Sequence, residues 1–223
     1  MLRIGINAVE FLEDTLGFYV YEELKRDIVN AFHYMEERGW NYGRAGNISV
    51  FVRENGHVLV TPSGVLKAKL KPEDILVLDV KGNLLEGRGK PTIELPLHLA
   101  IYDAYEYFNA VVHAHGVYST TLSITRDPLP LLIEEMVMYL GGEVRVAEYA
   151  PSGTEELAEK VVKALNGRKA VILANHGVVA CGKDLEEAVE VLGLVERLSQ
   201  IYILARLLGK VHLLSTSETK PTP

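Results

Sequence analysis

The sequence predicts a single α/β domain in which short strands pair mostly with their neighbours along the chain. Two long stretches, one towards each end, have the apolar spacing of helices. Between them, short apolar runs alternate with turn signals and shorter helical segments. A length of 223 residues suffices for one large core, and no repeat or linker divides it. We expect one domain over 1–223, with its core at about 21–208 and a disordered polar tail at 215–223.

The first half of the core is predicted to be a helix, a run of antiparallel strands and a second helix. Residues 21–38 place apolar side chains on one helical face, and Gly39 ends that helix. Asn55-Gly56 is a strong hairpin signal. A second helix is expected from about Glu94 to Tyr107. The strands are expected at 48–52, 57–60 and 75–79.

The second half alternates strands and helices. Ser152 with Glu155 forms a capping-box pattern that begins a helix ending near Leu165. Asp184 is expected to cap the last long helix, 185–208. A shorter helix is expected at 117–124. The strands are expected at 110–115, 143–149 and 169–175, followed by a partner strand in VVACG.

Composition excludes several classes of protein. A net charge of −7 argues against nucleic acid or an anionic membrane as the main partner. The single cysteine, Cys181, excludes an internal disulfide, and no apolar run reaches the length of a membrane span. The N-terminus lacks the pattern of a signal peptide. We expect a cytoplasmic protein, and the scarcity of Gln and Cys favours a heat-loving source.

Two histidines end the strand predicted at 110–115. His113 and His115 are two residues apart, so a strand places both imidazoles on one face. Zinc binds imidazole nitrogens at about 2.0–2.1 Å and usually has four ligands, so this pair could supply two of them. The competing interpretation is a half-exposed polar face without a metal. Cupins also use such a pair, but there a glutamate follows it closely.

A third histidine and a carboxylate extend the pair. His176 ends another apolar strand and precedes Gly177, where a loop can build a site. Glu94 follows a glycine-rich loop and begins a predicted helix. The competing interpretation of Glu94 is an acid that interacts favourably with the helix N-terminus and binds no metal. Three histidines and one carboxylate are typical of catalytic zinc. His98, one helical turn after Glu94, is a candidate for supporting this set.

Several segments resemble the class II aldolase and epimerase family. Nineteen residues separate Glu94 from His113, and 61 separate His115 from His176, as in the family's aldolases. The resemblance covers roughly residues 21–208. The matching segments are AGNISV at 45–50, TPSG at 61–64, the Glu94 region, VVHAHG at 111–116 and ANHGVVACG at 174–182.

This resemblance implies a three-layer α/β/α fold with a central, mainly antiparallel sheet. It also implies a homotetramer with sites at subunit interfaces and a small phosphorylated sugar as substrate. The implied ligands of one zinc ion per subunit are Glu94, His113, His115 and His176. The implied phosphate site combines glycine turns with short polar side chains. Its residues are Gly46, Asn47, Thr61, Ser63, Gly64 and Thr92.

Several positions depart from the family pattern. Two serines often precede the ligand glutamate, and here Thr92 and Ile93 stand in their places. Arg44 stands where a small hydroxyl residue is common, and it either adds charge for the phosphate or braces the loop. A tyrosine that the fuculose-phosphate members bring from a neighbouring subunit maps to Glu134 or Glu135.

The implied reaction is the reversible cleavage of a fuculose 1-phosphate-like ketose 1-phosphate to dihydroxyacetone phosphate and an aldehyde such as lactaldehyde. Glu94 would move the proton at C3, and Glu134 or Glu135 would serve the C4 hydroxyl. The two glutamates keep a methylthioribulose-1-phosphate dehydratase open as the alternative, because that enzyme uses a glutamate in this region. They are equally explained as a solvated helix face. A pentulose-phosphate 4-epimerase and a non-enzymatic, adducin-like scaffold are less favoured.

Overall fold

The computed structural model describes residues 8–215, with side chains from residue 21 onward. Residues 216–223 of the tail that we expect to be disordered lie outside this range. The helices are α1 (Ala8–Glu37), α2 (Leu95–Ala104), α3 (Val117–Thr125), α4 (Glu135–Leu140), α5 (Glu155–Leu165) and α6 (Leu185–Leu208). The strands are β1 (Asn47–Val52), β2 (His57–Val60), β3 (Leu76–Asp79), β4 (Leu84–Glu86), β5 (Ala110–Ala114), β6 (Arg145–Ala147), β7 (Ala170–Leu173) and β8 (Gly177–Gly182).

One sheet contains all eight strands of the described residues, in the order β4-β3-β2-β1-β5-β8-β7-β6. Every neighbouring pair is antiparallel except β6 with β7, which are parallel. The expected mainly antiparallel sheet is therefore confirmed. Most strands pair with a neighbour in sequence, and β5 is the exception, since it lies between β1 and β8.

Helices cover both faces of the sheet and give the expected three layers. On β5, Val112 packs in a core that includes Phe32 of α1 and Leu198 of α6. The next residue back, Val111, faces the opposite core, which includes Leu97 of α2. This alternation along a strand buries both faces. Each fully buried aliphatic side chain stabilises the fold by about 1.5–3 kcal/mol.

Some local predictions are confirmed and others are wrong. Asp184 caps α6, accepting a 2.8 Å hydrogen bond from the N–H of Glu187. The cap of α5 is Thr154, whose hydroxyl accepts from Leu157 N, so the capping box at Ser152 is wrong. Helix α2 ends at Ala104, three residues earlier than expected.

The β1–β2 hairpin has a longer loop than its Asn-Gly signal suggests. Val52 pairs with His57, which leaves a four-residue connection over 53–56. Gly56 has a positive φ of 66°, but Asn55 does not have one. A two-residue type I′ turn needs positive φ at both central residues, so this turn is of another kind.

Strand β4 and helix α4 were not predicted. Strand β4 has three residues, all exposed, and it pairs at the sheet edge through an irregular register. Helix α4 has six residues. Neither is long enough to show a period in the sequence.

Candidate metal centre and phosphate cleft

Three parts of the chain place three histidines and a glutamate together where the end of β5 lies beside the start of β8, in the middle of the sheet. His113 lies near the end of β5, and His115 follows that strand. His176 lies in the turn between β7 and β8, next to β5 in the sheet. Glu94 immediately precedes α2. Because β5 and β8 are paired, the sheet itself sets the spacing between the histidines of the two strand ends.

The three histidines are in mutual contact, and Glu94 contacts two of them. One ligand atom from each of His113, His115 and His176 lies within 4.8 Å of the others. The Nε2 atoms of His113 and His115 are 2.8 Å apart. Glu94 Oε2 lies 3.1 Å from His113 Nε2, and Glu94 Oε1 lies 3.4 Å from His176 Nε2. Among the described residues, no other group of three or more histidine, cysteine or acidic side chains lies close enough together to hold a metal ion.

His113 and His115 are held as neutral bases. The Nδ1 of His113 lies 2.9 Å from the carbonyl oxygen of Val178. A carbonyl can only accept, so Nδ1 carries the proton and the Nε2 lone pair faces the cluster. Burial, together with the neighbouring imidazoles, lowers the pKa of His113 well below its usual value. Burial and His176 also lower the pKa of His115.

These residues fit a divalent metal ion. Glu94 is 3% exposed, and its Oε1 is buried without a hydrogen bond among the described residues. Across the described side chains, no lysine or arginine lies within 4 Å of this carboxylate. A buried carboxylate without a cation is costly. An ion held by one oxygen and three imidazole nitrogens would remove that cost, and such a donor set suits zinc.

Gly177 makes room for the histidine cluster. A Cβ at this position would lie 2.5 Å from the carbonyl oxygen of Ala114 and 2.7 Å from Cδ2 of His115. Only a glycine therefore lets β8 pass against the end of β5. This close approach is the physical reason for the His176-Gly177 pair.

A buried chain of hydrogen bonds supports Glu94 from behind. Asn47 Nδ2 donates to Glu94 Oε2 at 3.0 Å, and Asn47 Oδ1 accepts from His98 Nε2. His98 Nδ1 lies 2.6 Å from the hydroxyl of Ser49, which is 2.6 Å from the hydroxyl of Tyr102. Burial lowers the pKa of His98 to about 3, so it is neutral. His98 therefore reaches Glu94 through Asn47.

A cleft of about 260 Å³ opens beside the cluster and contains most of the predicted phosphate residues. Gly46 has a φ of +73°, and a Cβ there would collide with the side chain of Asn41, so the turn requires glycine. Thr61 is absent from the lining, because its buried hydroxyl accepts the N–H of Ile48. The predicted residues that line the cleft are Gly46, Asn47, Ser63, Gly64 and Thr92, together with Glu94 and the three histidines.

Glu134 and Glu135 are not brought to the cluster within one chain. Both are exposed at the beginning of α4. Neither lines the cleft, and Glu135 instead lines a separate cavity with Tyr139 and residues of α6. In this arrangement they could reach a cluster only on another copy of the chain.

Several residues of the cleft, and of the hydrogen-bond chain behind Glu94, could not be assigned to the site from the sequence. Ser152 was interpreted as a helix cap, and it lines the cleft. Lys67 also lines it, from a 3-10 turn that no periodicity marks. Ser49 and Tyr102 complete the chain behind Glu94 from two different elements. Ser49 is far from Glu94 in sequence, so the sequence alone did not indicate that the two are connected.

Comparison with known proteins finds close relatives along most of the chain. A family model described as the class II aldolase and adducin N-terminal domain matches residues 26–203. A 5-deoxy-D-ribulose 1-phosphate aldolase of Bacillus thuringiensis serovar kurstaki is 36% identical over 87% of this chain and 91% of its own. A Rhodospirillum rubrum enzyme named 5-methylthioribulose-1-phosphate/5-deoxyribulose-1-phosphate aldolase is 34% identical over 87% of both chains.

A solved structure agrees with these sequence relatives. An L-fuculose 1-phosphate aldolase superposes with a TM-score of 0.85 at 38% identity, over 88% of this chain and 92% of its own. Within the described residues, no helix has the length and apolar character needed to cross a bilayer. With the family model spanning most of the chain and relatives named aldolases, this protein belongs to the class II aldolase family and is a lyase.

Proposed function

We propose that the chain is a zinc-dependent aldolase that reversibly cleaves a fuculose 1-phosphate-like ketose 1-phosphate to dihydroxyacetone phosphate and a short aldehyde such as lactaldehyde. The observation that carries this proposal is the cleft itself. It joins the buried Glu94 and three histidines to a wall of glycine turns suited to a phosphate.

The metal ligands are proposed to be Glu94, His113, His115 and His176, with one ion per subunit. Neutral imidazoles and a carboxylate favour zinc over magnesium or calcium, which prefer oxygen ligands alone. When bound, the ion supplies Lewis acidity that stabilises negative charge on the oxygens of the ketose. The proposed phosphate ligands are the turn residues Gly46, Ser63 and Gly64 with Asn47 and Thr92.

Proton transfers are assigned to the carboxylates. Cleavage of the C3–C4 bond removes the proton of the C4 hydroxyl and leaves an electron pair on the three-carbon fragment. In the reverse reaction the Glu94 carboxylate, displaced from the metal by the substrate, would remove a proton from C3 of dihydroxyacetone phosphate. In cleavage the protonated Glu94 would return that proton to C3. Glu134 or Glu135 of a neighbouring subunit would accept the C4 hydroxyl proton. This step requires the homotetramer that we propose, because both side chains lie away from their own cleft.

The names of the relatives support a ketose 1-phosphate. Fuculose 1-phosphate and 5-deoxyribulose 1-phosphate share carbons 1–3 and both end in a methyl group. Cleavage after C3 gives the same phosphate product from each, and lactaldehyde or acetaldehyde as the second. Ile93 is apolar, 64% exposed and lines the cleft next to Glu94, so it offers a surface for that methyl end.

A panel of ketose 1-phosphates tests the proposal. The metal-loaded protein should release dihydroxyacetone phosphate from L-fuculose 1-phosphate or 5-deoxyribulose 1-phosphate, measured with a coupled dehydrogenase assay. A diketone phosphate formed from methylthioribulose 1-phosphate, without dihydroxyacetone phosphate, would instead establish the dehydratase. Inversion at C4 of a pentulose phosphate would establish the epimerase. A cytoplasmic location and a heat-loving source stay predictions from composition.

A further inference from the structure

Lys67 is a buried cation beneath the phosphate wall of the cleft. Its exposed fraction is 2%, and it lines the cleft. Its backbone N–H donates to the carbonyl of Gly43 at 2.9 Å, and its Nζ donates to the carbonyl of Pro62 at 3.1 Å. Those carbonyls belong to the two turns that contain Gly46 and Gly64. One lysine therefore lies against both halves of the proposed phosphate site.

The charge of Lys67 has no counter-ion among the described side chains. No carboxylate lies within 4 Å of Nζ in that set, and the acid that influences it electrostatically is Glu36 of α1. The ring of Phe32 covers one side, with its centroid 5.1 Å from Nζ. Pro62 provides the one hydrogen-bond acceptor that the described residues offer to this ammonium. An ammonium has three donors, so two remain for a ligand.

Such an arrangement is unfavourable in the free protein. Burial lowers the pKa of Lys67 to about 8, which still leaves it mostly protonated at neutral pH. The backbone N–H makes the bond to Gly43 whatever the side chain is, and a neutral donor could reach the Pro62 carbonyl more cheaply, because burying an unpaired charge is costly. An anion in the cleft would remove the cost. The buried position also strengthens the attraction, since water screens it little.

Arg44, the other cation of the cleft, is exposed to solvent, unlike Lys67. Its guanidinium donates to the carbonyl of Gly64 across the cleft mouth. Solvent and salt weaken an exposed charge. Arg44 is therefore placed to brace the turn, whereas Lys67 is placed to attract the ligand.

We propose that Lys67 supplies the positive charge that binds the phosphate group of the substrate, acting as a positioning residue beneath the two turns. By holding the phosphate it fixes the distance between the ketose carbons and Glu94. The inference rests on the proposed function only in that the ligand of the cleft is a phosphate ester. The alternative role is structural, as a bridge between the loops.

Lys69 offers a matched control, because it is an exposed lysine on the same 3-10 turn. Lys67→Met and Lys69→Met would be prepared in metal-loaded form, and binding of inorganic phosphate measured by calorimetry. Hydrogen bonds to charged groups contribute enough that Lys67→Met should weaken phosphate binding about 10- to 100-fold. Lys69→Met should change it less than about twofold, and Lys67→Arg should restore part of the loss.

Thermal unfolding separates the two roles. If Lys67 binds the anion, Lys67→Met removes a costly buried charge, so its melting temperature should equal or exceed that of the wild type. A structural bridge would instead lose stability along with any loss of phosphate. Unchanged phosphate affinity in Lys67→Met, or no phosphate binding by the wild type, would overturn the inference.

The same variants separate this inference from the aldolase proposal. If the wild type cleaves no ketose 1-phosphate but Lys67→Met selectively loses phosphate binding, the inference stands and the proposed function fails. If ketose 1-phosphates are cleaved with the same KM by wild type and Lys67→Met, the proposed function stands and the inference fails.

Discussion

The two walls of the cleft are built in different ways. The metal wall consists of side chains at strand ends and at a helix start. Two of them are oriented by a partner outside the cluster, His113 by the Val178 carbonyl and Glu94 by Asn47. The phosphate wall consists mainly of turns, with two positive-φ glycines, Gly46 and Gly64. Backbone groups set its shape, and Lys67 ties its two turns together.

This difference predicts different responses to mutation. In the metal wall each side chain contacts at least two of the others, so the removal of one leaves its neighbours without a contact that positions them. In the phosphate wall many donors share one ligand, so the loss of one should weaken binding by degrees. Asn47 lies at the junction, because it lines the cleft and donates to Glu94.

The largest effect is expected from removing a histidine of the cluster. His113→Ala, His115→Ala and His176→Ala should each lose the metal and reduce cleavage to background, while circular dichroism stays native. His57→Ala is the control, because His57 contacts Tyr21 at the hairpin and lies outside the cluster. Metal content by mass spectrometry is the measurement. Full activity after exhaustive chelation, with no metal detected, would contradict the metal site.

Glu94→Gln should have the next largest effect. An amide can occupy the same space, but it cannot carry the proton at C3. Loss of a general acid–base costs about 100- to 10,000-fold. The measurement is exchange of the C3 proton of dihydroxyacetone phosphate in heavy water by NMR, a partial reaction that needs no aldehyde. If Glu94→Gln exchanges this proton at the wild-type rate, Glu94 is not the group that transfers it.

A smaller and more selective effect is expected from Glu134→Gln and Glu135→Gln. The glutamate that serves the C4 hydroxyl should slow cleavage about 100-fold and leave C3 exchange intact. Glu186→Gln is the control, since Glu186 is exposed and lines the same outer cavity as Glu135. If neither variant slows cleavage, these glutamates are a solvated helix face. Sedimentation of the wild type would test the homotetramer that the step requires.

The histidines of the metal wall could be found from the sequence pattern, whereas the residues of the phosphate wall came from the family resemblance. Strand periodicity alone placed His113 and His115 on one face, and an apolar run ending at His176 placed the third ligand. Which strands pair was not visible in the sequence, because long-range pairing decides that β5 lies between β1 and β8. The family resemblance implied the sheet's mainly antiparallel form but not this strand order.

The misses have physical reasons. Thr61 has the right chemistry for a phosphate, but its hydroxyl is used by the backbone of β1. Ser152 has the pattern of a cap, but the helix begins two residues later at a better-placed Thr154. The burial of Lys67 could not be predicted from the sequence, because only the tertiary structure distinguishes a buried lysine from a surface lysine.

Loss of His98 should cost less than loss of Glu94, because His98 acts through Asn47. His98→Leu leaves Asn47 Oδ1 without its donor, so the amide that supports Glu94 can rotate. Removal of an outer hydrogen-bonding partner of a metal ligand costs about 10- to 100-fold in metal affinity or activity. Metal affinity by competition with a chelator is the measurement. His33→Leu, a helix α1 histidine outside the cluster, is the control, and equal losses in both would contradict the role of His98.

The smallest effect is expected from Ser49, which lies further along the hydrogen-bond chain that begins at Glu94. A carboxylate only accepts, so Asn47 Nδ2 must donate to Glu94, which leaves Oδ1 to accept from His98 Nε2–H. His98 Nδ1 must then accept from the Ser49 hydroxyl, so every donor points towards Glu94.

Ser49→Ala removes the group that holds His98 in this tautomer. The imidazole can keep Nε2 protonated without a donor at Nδ1, so we expect only about a two- to fivefold loss of kcat, consistent with one neutral hydrogen bond. The ¹⁵N chemical shifts of His98 should show Nε2 protonated in the wild type and a mixture of tautomers in Ser49→Ala. Ser123→Ala removes an equally buried hydroxyl from α3 and should leave those shifts unchanged. A His98 protonated on Nδ1 in the wild type would reverse the donor order, and Asn47 would then present its oxygen to Glu94, an arrangement that cannot support the carboxylate.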